Sequence, residues 1–360
     1  MRLCLLSIAV LLGASAPASA ADARTAVTDP AKADADFAFV GEYVGTVAAL
    51  QDGAWRTIPL GLQVVSLGEG RFEAVEFLGG LPGAGWNGRD RAALPGERVG
   101  NVVEIDALPV GITLDGYTGR VGSPGKTNVY GTLRRINRAS PTLGRRPPRE
   151  AKILFDGRGS NGFSKATITE DGLLAQGAET QDAYSDFTLH VEYRLPYMPI
   201  AKDQGRANSG VYLQRRYEVQ ILDSFGQEPV FNGAGAVYRT KPADINMSFP
   251  PLAWQTYDIS FRAARFENGE KTEPARLTVW HNGVKIHNDY AIPGKTGAGR
   301  PEGPDPLPIL LQDHNNPVCF RNVWIVDHAM YPQVDARPRI DPPLAGRSDD
   351  SARELVSLHH

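Results

Sequence analysis

The sequence predicts an all-β protein built from two β domains in tandem. Three observations carry this prediction. Apolar and polar residues alternate over short spans, and no helical 3.6-residue apolar pattern of useful length appears. Turn formers are abundant, with Gly 38 and Pro 27 among 360 residues, which is the punctuation many short strands require. A basic, proline-rich stretch, "RASPTLGRRPPRE" (138–150), divides two blocks of strand-like pattern. At 360 residues each block has chain enough for its own core. A net charge of −3 points to neither nucleic acid nor an anionic membrane as partner.

The elements follow in order. Arg2, the apolar run Leu3–Leu12 and Ala18-Ser19-Ala20 form the three parts of a cleavable signal peptide over residues 1–20. The run is too short to span a bilayer, so no transmembrane segment is expected after cleavage near Ala20. The expected location is periplasmic or secreted. Cys4 would leave with the signal, so Cys319 remains alone and no internal disulfide is expected. Residues 21–36, rich in Ala and Asp, read as a flexible leader.

Residues 37–138 read as an N-terminal β domain, a small barrel or curled sheet of no assigned role. "FAFVGEYVGTVAAL", "IPLGLQVVSLGEGRFEAVEFLGG", "VVEIDALPVGITLDGYTGRV" and "VYGTLRRI" supply its strands, and Gly68-Glu69-Gly70 reads as a hairpin turn. Residues 139–149 read as a linker with little to bury. A nucleic-acid arm is the alternative, weakened by the lack of aromatics. Residues 150–330 read as a second domain, a two-sheet sandwich whose strands are regularly spaced and whose His281-Asn282-Gly283 is a strong turn signal. Residues 331–360, rich in Pro, Arg and Asp, read as a terminal arm.

Two stretches of the second domain carry possible chemistry. In "YEVQILD" (217–223), alternation puts Glu218 and Gln220 on the face opposite Tyr217, Val219 and Ile221. Paired with "SGVYLQRR" (209–216), it predicts one surface bearing Tyr212, Gln214, Glu218 and Gln220. That surface is either a cleft or a solvated outer face. In "ILLQDHNNPVCFRNVWI" (309–325), a polar corner from Gln312 to Asn316 separates two apolar runs. It is either a turn capped by Pro317 or the mouth of a cleft. Val318 and Phe320 are out of phase with Val323 and Ile325, which predicts a β-bulge at Arg321-Asn322.

These motifs occur together in a known family. "ILFDGRGSNGF", "DFTLHVEYRLP", "NSGVYLQRRYEVQILDSFG", "LTVWHNGVKIHND" and "PILLQDHNNPVCFRNVWI" resemble the 3-keto-disaccharide hydrolases, over roughly residues 150–328. The resemblance implies a concanavalin-like jelly roll and cleavage of glycosides whose sugar is oxidised to a ketone at C3. Two inserts, "MPIAKDQGRA" (198–207) and "AIPGKTGAGRPEGPDP" (291–306), depart from the family and would line or cover the cleft.

An ordinary retaining glycosidase needs two carboxylates about 5–5.5 Å apart. Here the partner of Glu218 two residues on is the amide Gln220. A 3-keto sugar needs only a base for the acidified C2 proton, an electrophile at the C3 oxygen and an acid at the leaving oxygen. The catalytic candidates are Glu218 and His314. The substrate-binding candidates are Asn208, Tyr212, Gln214, Gln220, Asp223, Tyr238, Gln312 and Arg321.

Structural readings stand beside these. His314 could cap its turn, and Arg321 could pair with Glu218 or Asp223. Asp156 and Asn282 read as turn residues, and Trp254 as core. His190, His281 and His287 lack ligand spacing. No cofactor is required by the sequence, although a divalent cation such as calcium near Asp313 or Asp223 would leave little signature. The expected partner is an oxidised di- or oligosaccharide or other glycoside. The alternative is a lectin-like carbohydrate binder, since a fold does not fix a function.

Overall fold

A computed structural model describes residues 22, 24–51, 53–107, 110–123, 128–159 and 162–338. The expected signal sequence and residues 339–360 lie outside the described residues. The described chain is all-β, with three short 3₁₀ turns and no α-helix. No helix among the described residues is long and apolar enough to cross a membrane.

The first eight strands are β1 (Gly41–Gln51), β2 (Ala54–Gly68), β3 (Arg71–Leu78), β4 (Arg91–Val99), β5 (Val102–Ala107), β6 (Val110–Leu114), β7 (Thr118–Gly122) and β8 (Val129–Ile136). Each pairs with its sequence neighbour, and β8 returns to β1 to close a barrel. Tyr43, Leu62, Phe72, Val103, Ile112 and Leu133 fill the interior, as side chains do in a barrel of this strand number. The β2–β3 turn places Glu69 and Gly70 at φ 57° and 76°, the conformation a two-residue hairpin demands.

The remaining strands are β9 (Lys152–Phe155), β10 (Phe163–Lys165), β11 (Leu174–Ala175), β12 (Glu179–Thr180), β13 (Phe187–Arg194), β14 (Ser209–Leu213), β15 (Tyr217–Ile221), β16 (Trp254–Arg262), β17 (Arg265–Glu267), β18 (Glu270–Glu273), β19 (Ala275–His281), β20 (Val284–Ile292), β21 (Leu310–Leu311) and β22 (Cys319–Asp327). A five-stranded sheet runs β10-β12-β21-β14-β15. A seven-stranded sheet runs β11-β22-β13-β16-β19-β20, with β9 also on β22. The sheets pack as a jelly-roll sandwich. Leu189, Val191 and Tyr193 of β13 meet Val211, Leu213, Val219 and Ile221 of β14 and β15 in one core.

Two local predictions appear as read. Asn282 and Gly283, at φ 48° and 82°, turn β19 into β20. On β22, Arg321 faces Glu192 and Trp324 faces His190, so two residues oppose the single Val191. Asn322 at φ 44° takes up the bulge.

Three segments read as loose are docked. In the leader, Val27 bridges to Tyr197, Asp34 accepts from the Tyr197 hydroxyl (3.0 Å) and buried Asp36 pairs with Arg98 (2.6 Å). The linker is a strap. Arg138 forks onto buried Glu42 of the barrel (2.7 and 2.6 Å), and Ser140 and Thr142 are buried against Thr256 of the seven-stranded sheet. In the tail, Ala336 packs on Trp324 and Val326. The reason lies in what the strap covers. Glu192 and Asp258 on the outer face of the seven-stranded sheet are fully buried, and buried charge must find donors. Composition shows the arginines and prolines of such a segment but not the carboxylates waiting for them.

Candidate active site

The outer face of the five-stranded sheet carries the site. Alternation along β14 and β15 turns Val211, Val219 and Ile221 into the core and leaves Tyr212, Glu218 and Gln220 on the other side. Register places Tyr212 opposite Glu218 and Gly210 opposite Gln220. A bridge between Val219 and Val237 extends the row, and the Tyr238 N–H donates to the Glu218 carbonyl (3.1 Å). Tyr212, Glu218 and Tyr238 therefore stand side by side.

Glu218 is only 2% exposed and has no cationic partner among the described residues. The Tyr212 hydroxyl donates to its Oε2 (2.7 Å). One end of the Gln220 amide lies 3.1 Å from Glu218 Oε1 and 2.9 Å from the Ser209 carbonyl, so that end must be the NH₂ group, donating to both. Burial pushes the Glu218 carboxyl up to about 7, and the Tyr212 hydrogen bond offsets only part of the rise. Burial, with the Glu218 charge beside it, also holds the Tyr212 hydroxyl far above its ordinary range.

Glycine makes this packing possible. A Cβ on Gly210 would lie 2.4 Å from Glu218 Oε1, and one on Gly297 would lie 3.2 Å from Oε2 and 2.9 Å from Tyr238 Cδ1. Gly297 belongs to the 291–306 insert, whose Thr296 Oγ1 accepts from the Glu218 N–H (2.7 Å). The 198–207 insert approaches the same face. Its Gln204 accepts on its carbonyl from Asn208 Nδ2 (2.8 Å), and its Oε1 stands 3.0 Å from the Gln220 amide. Both inserts thus meet the site, one as cover and one as wall. Sequence pattern alone does not mark Gln204, Thr296, Gly210 or Gly297 as site residues. The only signal for Gln204, Thr296 and Gly297 was that each sits in an insert.

Residues 150–326 match a family model described as a 3-keto-alpha-glucoside-1,2-lyase-like domain. Over these residues the C-terminal domain is similar to that family. It is a carbohydrate-hydrolase kind of domain, as the sequence resemblance implied. Three solved structures from Parabacteroides distasonis ATCC 8503, each named "putative glycosyl hydrolase", are similar to part of this chain. One is 28% identical, with 50% of this chain and 84% of that chain covered and a TM-score of 0.46. The others are 19% identical (49% and 94% covered, TM-score 0.38) and 20% identical (50% and 100% covered, TM-score 0.36). No curated protein matches the chain.

Within the lyase-like domain, the other predicted residues divide. Asn208 and Gln312 border the Glu218 face. The Asn208 N–H donates to Asn316 Oδ1 (2.7 Å) and the Gln312 N–H to the Gly210 carbonyl (2.8 Å). Gln312 Oε1 is buried without a hydrogen-bond partner among the described residues, an acceptor left for a donor. Asp223 is buried and held by Arg206 (2.8 Å).

His314 does not join this group. It is exposed in its corner, and no hydrogen bond or ion pair joins it to Glu218 among the described residues. Gln214 is a correction. The turn after β14 gives it φ 50°, which removes it from the alternation, and its amide serves the Tyr184 carbonyl (2.8 Å). Arg321 is another. It lies on the opposite sheet, where its guanidinium pairs with Glu192 (2.8 Å) and sits 3.9 Å from the centroid of half-buried Trp254, touching neither Glu218 nor Asp223. No group of three His, Cys, Asp or Glu among the described residues converges as metal ligands would. Asp313 is exposed and accepts from the Asn315 N–H (2.8 Å), and Asp223 is already paired.

Proposed function

We propose that the C-terminal domain cleaves glycosides whose sugar carries a ketone at C3, with Glu218 as the base. The observation supporting this reading is the Glu218 carboxyl itself. It is buried without a counter-cation, pushed up to about 7, and surrounded by neutral donors. A base with that proton affinity is half ionised at neutral pH and accepts a proton strongly. A carboxylate kept for stability would instead be paired with a cation.

The steps follow from the ketone. Glu218 takes the proton at C2, and the electron pair moves into an enolate at the C3 oxygen. The enolate re-forms the ketone and expels the substituent oxygen from C1, leaving a C1–C2 double bond. The leaving oxygen takes a proton, for which protonated Glu218 or the Tyr212 hydroxyl stands closest. Water then adds at C1 with a proton at C2. Asn208, Gln204, Gln220 and the free Gln312 Oε1 are the groups that would hold sugar hydroxyls. A single carboxylate suffices because the ketone supplies the acidity that a second carboxylate otherwise offsets.

The test is to assay the full protein with matched glucosides, one intact and one oxidised at C3, in heavy water. Cleavage of only the oxidised substrate, with deuterium at C2 of the released sugar, is the expected result. Cleavage without C2 exchange removes the elimination route. Binding without cleavage leaves the lectin-like reading.

A further inference from the structure

The face that must receive a sugar is closed, and the closure has an identifiable latch. Residues 294–303 lie over the Tyr212–Glu218 pair. Their backbone is stitched to the β14–β15 hairpin, with Thr296 N–H donating to the Arg216 carbonyl (2.9 Å) and Arg300 N–H to the Arg215 carbonyl (2.8 Å). Beyond that stitch, Arg216 donates from Nε to the Pro301 carbonyl (3.0 Å) and from Nη1 to the Asp305 carbonyl (2.9 Å). The outer point is Glu302. Its Oε1 accepts from the Tyr217 hydroxyl (2.6 Å) and its Oε2 from Lys271 Nζ (2.7 Å).

These contacts differ in kind. The Arg216 guanidinium is buried and bonded to the backbone carbonyls of Pro301 and Asp305, so it anchors the foot of the covering stretch. Glu302 and Lys271 are partly exposed, and their bonds join side chains across separate segments. A salt bridge of this type forms and breaks at little cost. Glycines flank the covering stretch at Gly294 and Gly303, where an added Cβ would meet nothing closer than 3.4 Å. Lids commonly move about such element-terminal positions.

We infer that Glu302 is a positioning residue, latching residues 294–303 to Tyr217 and Lys271 so that Thr296 and Gly297 close over Glu218 and exclude water from its carboxyl. The inference rests on the reading of Glu218 as the site's base. It adds that entry of the glycoside requires release of the latch and that the reacting sugar is enclosed once it refastens. Tyr212 from β14 and Tyr238 beside β15 are the titratable groups that flank Glu218. No charged group faces it among the described residues, so water is what the lid controls.

The test uses the full chain carrying Glu302→Ala and, separately, Tyr217→Phe, which keeps the ring in the core and removes only the hydroxyl. Two readouts do not depend on turnover. Amide hydrogen exchange over residues 296–300 should accelerate by about tenfold or more. The carboxyl titration of Glu218, read by carbon-13 NMR and assigned by its loss in Glu218→Gln, should move down by about one pH unit as water reaches it. Unchanged exchange and an unchanged titration in both variants would overturn the latch. If both readouts move while no variant or parent cleaves a 3-keto-glucoside, the latch stands and the catalytic reading falls.

Discussion

The two sheets of the jelly roll each bury carboxylates on their outer faces, and they treat them in opposite ways. On the seven-stranded sheet, Glu192 accepts from Arg321 Nε (2.8 Å), Asn322 Nδ2 (2.8 Å) and the Gly144 N–H (2.5 Å). Asp258 accepts from Thr142 (2.7 Å), Arg145 (3.2 Å) and His190 Nδ1 (2.8 Å). Burial favours protonation of Glu192, but the bonds from His190, Asn322 and Arg321 win and hold it down at about 2. Burial likewise pushes the His190 imidazole down, and Asp258 and Glu192 outweigh it, leaving the imidazole raised. On the five-stranded sheet, Glu218 has neutral donors alone and is pushed up to about 7. Equal burial with different company separates a carboxylate that holds the fold together from one that is available to react.

The sharpest way to break this contrast is to remove one charge from each face. Glu218→Gln keeps shape and hydrogen bonding but loses the base, so turnover of a 3-keto-glucoside should fall by about 10²–10⁴-fold with the fold retained. Steady-state assay beside circular dichroism checks both halves. Glu192→Ala should do the reverse. It leaves Asn322 Nδ2, the Gly144 N–H and Arg321 Nε without their acceptor, while His190 keeps Asp258, and stranding such donors costs about 1–3 kcal/mol. Denaturant unfolding should register that loss, and protease should then reach the 139–149 strap. A fully stable Glu192→Ala protein would mean the strap is held elsewhere.

The pH dependence of stability should carry opposite signs on the two faces. Glu192 titrates at about 2 in the folded state against 4.5 ordinarily, so its contribution is present above about pH 4.5 and is lost as pH falls toward 2. Glu218 titrates at about 7 against 4.5, so its contribution is full below about pH 4.5 and is lost as pH rises through 7. Each swing is of order 3 kcal/mol. Subtracting the Glu218→Gln curve from the parent curve isolates the second swing, and a flat difference between pH 5 and 8 would show that the carboxyl is hydrated.

The smallest effect is expected at the exposed corner. His314→Ala should change stability by less than about 0.5 kcal/mol, as surface substitutions do, and turnover by less than about tenfold. A hundredfold loss of turnover would return the imidazole to the site and require the corner to fold inward when substrate binds.

The sequence was most legible where period and turn chemistry act locally. Strand alternation in "YEVQILD" placed Glu218 and Gln220 on the correct face, the hairpin glycines marked their turns, and the phase slip before Val323 located the bulge at Asn322. Alternation failed one residue past Leu213, because a turn at Gln214 ends the strand without a Gly or Pro to announce it. It was also silent about long-range pairs. Nothing near Arg321 reveals that Glu192, on the neighbouring strand, will claim it, and nothing in the inserts reveals that Gln204 will approach Gln220 or that Thr296 will accept from the Glu218 N–H.

The pairing of β9 with β22 sets an order of events during synthesis. Every strand pairing of the barrel lies within Gly41–Ile136, so that sheet can close while the rest of the chain is still emerging. The jelly roll cannot. Its first strand waits for a partner more than 160 positions later, and Asn322, which ties down the strap through the Arg145 carbonyl (3.1 Å), arrives with that same partner. Until β22 appears, β9 and β13 each present an unpaired edge, the state in which chains of high contact order mispair with one another. A truncation just before Cys319 should therefore leave a folded barrel attached to an aggregation-prone remainder.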